Sequence, residues 1–453
     1  MTMADADVVL VPQPCPVPFR DCSQRTGDIG WAQQVRWKDH RLAGIRGLSD
    51  DLCFSTTVPA GTKIDDFLTA IVRMVSRHES LRTRFHVVGN RVVSQESVGG
   101  GEVDVVRYQV PPGQALTDEL LRGRTAEEPL DIQNGLPFRA GFAAADGEVT
   151  HVAFCVARMI ADAAGCENVV TSFRSELAAI TRDTSAEPGR PFQQLDQVGW
   201  ETSAAGLRAE RQALDYWQEQ MAVINALPRP SFAVSGPVRT ITAPVGSLLD
   251  SADDVARTSG TSSSGVLLTA FLLATAQHFD VDAFGCYLHC SNRSDLARQE
   301  SITRLKNMTM YTYSRGPSDF RSAVREVFRG SLSAYRHAQS PGELFLPRLG
   351  VDPEHAPFVH FNDVRSVVAR DGWTGPAQRT EPGAAADPDE PAITETPAER
   401  TNVPATLNLG VGPIMGASAK PVLTFETNLL RADGIARLVE RMHHILAAAR
   451  HQR

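Results

Sequence analysis

The sequence predicts an α/β protein in two domains, and three observations predict it. The first is the run His151–Ile180, HVAFCVARMIADAAGCENVVTSFRSELAAI. His151 to Ile160 is apolar enough for a buried strand, and the break at 161–165 (ADAAG) follows it. Val169, Val170, Phe173, Leu177 and Ile180 then recur at the three- and four-residue steps of one helix face. A strand, a tight turn and a helix put the turn at the edge of a buried sheet, where Arg158 and Asp162 face a cleft. The second is that strand-like and helix-like segments are interleaved along the whole chain. The third is that 453 residues exceed what a single core usually supports.

Bulk properties narrow the function. A formal charge of −8 with no Lys/Arg run argues against a nucleic-acid groove. The seven cysteines are scattered, with no Cys-x-x-Cys, so reduced thiols in a cytoplasmic interior are expected rather than a disulfide framework. The N-terminal stretch MTMADADVVLVPQPCPVPF lacks the basic-then-apolar order of a secretory signal. No apolar run approaches the ~20 residues that span a bilayer.

In chain order, the Pro-rich residues 1–22 read as extended. Trp31, Val35 and Trp37 within Gly27–Arg41 suit a helix at the core edge, and Phe54–Pro59 reads as a strand. Ile64–Ser76 is a helix by Phe67, Ile71, Met74 and Val75, and it runs into Arg77–Phe85, RHESLRTRF. Val92–Glu96 and Val103–Tyr108 are strands, Thr117 N-caps a helix to Arg124, and Leu136–Phe142 leads into the strand at His151. Pro191–Trp217 is a polar helical crossing, and Ser263–Phe279 is a strongly apolar helix. Phe284–Cys290 is a strand, Phe320–Gln339 a helix and Pro357–Val364 a strand. Gly372–Asn402, rich in Pro, Ala, Thr and acids, has nothing to bury and reads as a mobile loop. Leu407–Gly410 and Val422–Glu426 are late strands, and Ile435–Ala449 closes the chain as a helix.

RHESLRTRF carries a resemblance. Arg77, His78, Glu79, Leu81, Arg82, Thr83 and Phe85 fill every specified position of Arg-His-Glu-x-Leu-Arg-Thr-x-Phe, a signature of the condensation domain of nonribosomal peptide synthetases. Other segments resemble the family in order: Ala32, Gln33, Arg36 and Trp37; Leu130, Asp131, Gly135, Phe138 and Arg139; Leu214–Trp217; Asn292 and Arg293; and Phe425–Leu438. The likeness spans nearly the whole chain, with no adenylation or carrier domain attached, so a free-standing protein is expected. It implies two chloramphenicol-acetyltransferase-like lobes of mixed sheets with flanking helices, residues 1–184 and 185–453, meeting in a V around a tunnel. It implies no bound cofactor; the phosphopantetheine arm of an acyl or peptidyl carrier protein, met in trans, would be substrate.

The family's tunnel motif is His-His-x-x-x-Asp-Gly, whose second His acts on the attacking amine. Aligned on Asp162, this chain has Ala157 at the first His, Arg158 at the second and Ala163 at the Gly. A guanidinium, with a pKa above about 12 and no lone pair to offer, is no general base. Arg158 either pairs with an acid such as Asp162 and plugs the tunnel, or binds an anionic substrate group or an oxyanion. Asp162 is expected to pair with Arg293, and Arg77, His78 and Arg82 to be structural. His289 and His360, on strands of the second lobe, are the candidates for a replacement base, since an imidazole titrates near pH 6.5 (about). A histidine on an apolar strand is otherwise a satisfied core residue. Ala157, Ala163 and Asn362, the last in the polar tip FNDVR, are candidates for lining the substrate path. Cys155, Cys286 and Cys290 read as small buried residues. No metal spacing, nucleotide loop or Gly-x-Ser-x-Gly elbow occurs. Two functions remain: a divergent acyltransferase forming an amide or ester from a carrier-bound acyl group, or a non-catalytic scaffold recruiting a tailoring enzyme or carrier.

Overall fold

The computed structural model describes residues 10–42, 51–89, 91–111, 114–184, 189–228, 236–316, 319–351, 356–365, 373–377, 393–397, 405–413 and 421–451. The first half runs β1 (Val11–Pro14), β2 (Val17–Phe19), β3 (Arg25–Gly27), α1 (Trp31–Leu42), β4 (Asp51–Thr56), α2 (Ile64–Arg77), β5 (Thr83–Val88), β6 (Arg91–Ser97), β7 (Gly101–Gln109), α3 (Asp118–Thr125), β8 (Phe138–Ala145), β9 (Glu148–Ala157) and α4 (Ala163–Thr181). After α5 (Gln194–Glu201) and the long α6 (Ala204–Ala226) come β10 (Arg239–Pro244), α7 (Leu248–Ser259), α8 (Ser263–Phe279), β11 (Ala283–Cys290), α9 (Leu296–Gln299), β12 (Asn307–Ser314), α10 (Phe320–Tyr335), α11 (Phe345–Arg348) and β13 (Val359–Asp363). The chain ends with β14 (Trp373–Ala377), β15 (Thr394–Pro397), β16 (Leu407–Pro413), β17 (Pro421–Thr427) and α12 (Ala432–His451).

The strands form two mixed sheets and a small three-stranded one. The first sheet orders β1-β7-β8-β9-β4-β14, with β2 also on β7; the second orders β12-β11-β13-β16-β17-β10-β15. β7–β8, β11–β13 and β13–β16 are parallel and the other pairs antiparallel. Each sheet carries its own core. In the first, Phe67 of α2 meets Phe142 and Phe173 at 4.9 and 5.7 Å, and Phe154 meets Phe173 at 5.3 Å. Such aromatic pairs contribute about 0.5–1.5 kcal/mol each beyond area burial. In the second, α8 is apolar on every side, and a helix of that kind must be enclosed. It lies in contact with α7, α10 and α12, with Val266 to Leu272 buried.

The two halves are not separate beads. Ile302 is buried in the first core although it belongs to the second half of the chain. β14, also from the second half, pairs antiparallel with β4 at the edge of the first sheet. β14 and β15 lie inside 372–402, the stretch expected to be a loop throughout; a sheet edge binds such strands through backbone hydrogen bonds, which a pattern of buried side chains does not reveal. Residues 372, 378–392 and 398–402 of that expectation, and the expected lobe boundary at 185, lie outside the described residues.

Other expectations are corrected. Cys155 is not a free thiol: it forms a disulfide with Cys53, its direct antiparallel partner across β4 and β9. The two are 102 residues apart in sequence, so their spacing along the chain gave no sign of the pair. The expected strand to Ile160 stops at Ala157, because Met159, Ile160 and Ala161 are buried under a turn rather than in the ladder. α10 ends at Tyr335, short of Gln339.

α5 and α1 meet at Glu201. Its Oε2 accepts from the first amide of α1, Trp31 N, at 2.8 Å, and Trp31 packs edge-on against Trp200 at 5.8 Å. Burial pushes the Glu201 carboxyl up to about 7 against the hydrogen bonds from Gln197 and Trp31. The folded protein therefore keeps a proton that the unfolded chain loses near 4.5, and stability should fall as pH rises from there through about 7. Glu201→Gln is expected to remove that decline, measured as denaturant midpoints at about pH 5 and about pH 8.

Candidate functional site

The turn after β9 is fixed from several sides. Ile160 N donates to Ala157 O at 3.0 Å and closes the turn over Arg158–Ile160. Its carbonyls are held from outside: Gln33 Nε2 donates to Met159 O at 3.1 Å, and Arg304 Nη1 donates to Arg158 O at 3.0 Å. Gln33 is fully buried on α1 and also accepts from Gly30 N at 2.8 Å. Arg304 anchors itself by donating Nε to Ala32 O at 3.1 Å, while its own amide donates to Gln194 Oε1 at 3.0 Å. Arg158 stands half-buried where the turn leaves β9.

Asp162 then caps α4. Its Oδ1 accepts from Gly165 N at 2.9 Å, the N-cap bond an aspartate is suited to make. The same oxygen accepts from Arg293 Nη2 at 2.8 Å, while Oδ2 accepts from Leu305 N at 3.0 Å and Lys306 N at 2.8 Å. The two side chains are only 5% and 6% exposed. Burial alone would push the carboxyl up, but Arg293 and the amide donors outweigh it and hold Asp162 below its ordinary value of 3.8. Asp162 is thus an ionised acceptor that joins the two halves of the chain.

The donors from the second half are themselves fixed. Arg293 also donates to Ser301 O at 3.0 Å and Thr303 O at 2.9 Å. Asn292 sits at φ 56°, a left-handed conformation that asparagine tolerates, and donates to Leu305 O at 3.0 Å and Ala338 O at 3.1 Å. Asn168 of α4 donates to Gln299 O and Ser301 O at 2.7 and 2.8 Å. A β-carbon on Gly165 would lie 3.1 Å from Thr303 O, so this small residue lets α4 approach the segment closely. The sequence reading missed Ser301–Lys306 and the strand β12 that follows. Its polar residues resemble a surface loop; the alternation in Asn307–Ser314 was the available signal.

Lys306 links the turn to the two histidines. β11 pairs with β12 so that His289 faces Met308 and Cys290 faces Asn307, next to Lys306. Tyr287, His289, His360 and Asn362 alternate with the core residues Cys286, Leu288, Val359 and Phe361, so they occupy the other face of the second sheet. The His289 and His360 ring centroids are 5.9 Å apart, and Tyr287 and His360 are 4.9 Å apart. Both nitrogens of His289 are closed off from solvent and meet no hydrogen-bond partner among the described residues, as does the Tyr287 hydroxyl. Burial, then Lys306, then His360 push His289 well below 6.5; burial and Lys306 lower His360 to about 3. Both are therefore neutral imidazoles at neutral pH.

The remaining candidates have these places. Ala157 is buried at the end of β9, and Ala163, half-buried, begins α4. Asn362 is half-buried on β13, and its neighbour Asp363 binds Arg365 at 2.6 Å. The signature stretch makes structural contacts within the first lobe and with the chain just beyond it: His78 Nε2 meets Ser172 Oγ at 2.9 Å, Arg82 donates to Ser23 O and Val98 O, and Arg77 O accepts from Gln193 Nε2 at 3.0 Å. Cys286 is buried and Cys290 half-buried; burial pushes both thiols up, which suits neither as a nucleophile. Among the described residues no group of three His, Cys, Asp or Glu side chains is placed to hold a metal, and no helix is long and apolar enough to cross a membrane.

No family model matches the chain. In sequence it is 26% identical to tyrocidine synthase 2 of Brevibacillus parabrevis over 292 residues, covering 62% of this chain and 8% of that protein. The chain thus spans under a tenth of the length of that relative. In structure it is similar to the condensation domain of the Monacolin K polyketide synthase MokA, with TM-score 0.68, 15% identity and coverage of 94% and 98% of the two chains. It is also similar to the X-domain solved in complex with OxyB from teicoplanin biosynthesis, with TM-score 0.64, 16% identity and coverage of 94% and 93%.

Proposed function

We propose that this chain, which belongs with the condensation-domain proteins of nonribosomal peptide synthesis, transfers an acyl group from a carrier-protein thioester to an amine or alcohol, forming an amide or ester. The observation that carries the proposal is the Asp162 turn. Asp162 caps α4 and binds Arg293, Leu305 N and Lys306 N, while Gln33 and Arg304 hold the turn's carbonyls. A turn this constrained is preorganised, and acyl transfer gains from fixed dipoles and fixed reactants.

Arg158 takes no proton, so its part is electrostatic: its guanidinium donates to the developing oxyanion or to an anionic group of the donor. The carrier would present the acyl group on its phosphopantetheine arm. The second reading, a scaffold that recruits a tailoring enzyme or carrier, is favoured by Ala157 and Arg158 standing where the family has histidines, and by the likeness to an X-domain.

The test is intact-mass analysis of an acyl-loaded peptidyl carrier protein incubated with wild type, Arg158→Ala and Arg158→Lys and an amine or alcohol acceptor. Arg158→Ala is expected to slow transfer about 100-fold, and Arg158→Lys to recover part of it. Equal rates in all three would remove Arg158 from the chemistry. A carrier that binds wild type yet stays loaded would support the scaffold instead.

A further inference from the structure

We infer that His289 is the proton acceptor of this transfer, with His360 and Tyr287 as the groups that position it; the inference rests on the acyl-transfer reading. The motif position that carries a base in the family holds Arg158, so the proton of the acceptor needs another destination. His289 is linked to the Asp162 turn through β12: it faces Met308 in the ladder, two residues from Lys306, whose amide Asp162 holds at 2.8 Å and which bears electrostatically on the His289 ring.

The hydrogen bonding of His289 is not that of a structural histidine. His78, which is buried, uses Nε2 on Ser172 Oγ at 2.9 Å and leaves only Nδ1 without a partner among the described residues. His289 is half-buried, yet both of its ring nitrogens are closed off and neither is hydrogen-bonded among the described residues. An enclosed polar atom left unpaired costs stability, and such a cost is retained where the atom has a partner in another state. The Tyr287 hydroxyl is in the same condition on the same sheet face. The charged and titratable groups bearing on His289 are Lys306 at the head of β12 and His360 on β13. Tyr287 and Cys290 flank it on β11, and Glu343 bears on Tyr287. Burial first, and then the Lys306 cation, keep the ring unprotonated, so a lone pair is available at neutral pH.

The step balances without any other reagent. The acceptor N–H or O–H gives its proton to a ring nitrogen of His289 as its lone pair bonds to the thioester carbonyl carbon, and the carbonyl electron pair moves to oxygen. Lys306 disfavours an imidazolium in the resting protein; the oxyanion formed in the same step offsets both cations. The oxyanion collapses, the C–S bond breaks, and the leaving thiolate takes the proton back from His289. His289 returns neutral.

The test is single-turnover transfer from an acyl-loaded carrier by wild type, His289→Gln and His360→Gln, with carrier affinity and melting temperature measured alongside and with imidazole added back. His289→Gln is expected to slow transfer by at least about 100-fold with carrier affinity unchanged, and free imidazole to restore part of the rate; His360→Gln should lose less. Transfer by His289→Gln within about threefold of wild type overturns the inference alone. So does a loss that follows weakened carrier binding or melting temperature and is not rescued by imidazole. A wild type that transfers nothing overturns the acyl-transfer reading, and the inference with it.

Discussion

Arg293→Ala is expected to destabilise the protein by about 3–5 kcal/mol, because it leaves the Asp162 carboxylate buried without its cation. The pair is nearly sealed from solvent, with N–O at 2.8 Å, so water cannot take the place of the guanidinium as it would at a surface ion pair. Asp162→Asn should be costly for the mirror reason, since Arg293 would then be the uncompensated charge. Asp162→Asn combined with Arg293→Gln should cost little more than either change alone, and fully additive losses in urea midpoints would contradict the coupling. The pH dependence has a definite sign. Asp162 releases its proton more readily in the folded protein than its ordinary 3.8, so its contribution is complete above that value and is lost as pH falls below it. In Asp162→Asn, that part of the acid destabilisation should be missing.

Trp217→Ala should also cost about 3–5 kcal/mol, the range for removing a fully buried tryptophan from a packed core. Trp217 is unexposed on α6 and meets Tyr287 at 6.0 Å and Phe345 at 5.8 Å. Tyr287 in turn lies against His360, so α6 buttresses the sheet face that carries the histidines. Trp217→Phe should be milder, because the indole Nε1 has no hydrogen-bond partner among the described residues and only volume is lost. Thermal denaturation of the three proteins checks the order. A loss below about 1 kcal/mol in Trp217→Ala would mean that α6 does not support this face.

What was legible from the sequence follows from how local each signal is. β9, α2, α4 and α8 are long, strongly patterned segments, and the structure contains all four. The Asp162 turn was legible because a strand, a small-residue break and a helix are adjacent in the chain. Its pairing with Arg293 came from the resemblance, not from spacing, since 131 residues separate the two. Arg304 and the Ser301–Lys306 segment were missed because their partners, such as Ala32 and Asp162, lie more than a hundred residues away and leave no periodicity. The Cys53–Cys155 bond was missed for the same reason. β14 and β15 were hidden because edge pairing needs no apolar alternation. His289 could be named as a residue on a strand of the second lobe, but its unpaired nitrogens depend on the packing of three strands.

The measurement that bears most directly on the account is the intact mass of an acyl-loaded carrier protein after incubation with the wild-type protein and an amine or alcohol acceptor. The account predicts loss of the acyl mass from the carrier, faster than without the protein, and a matching gain of amide or ester product. A carrier that forms a complex with the protein but keeps its acyl group would contradict it.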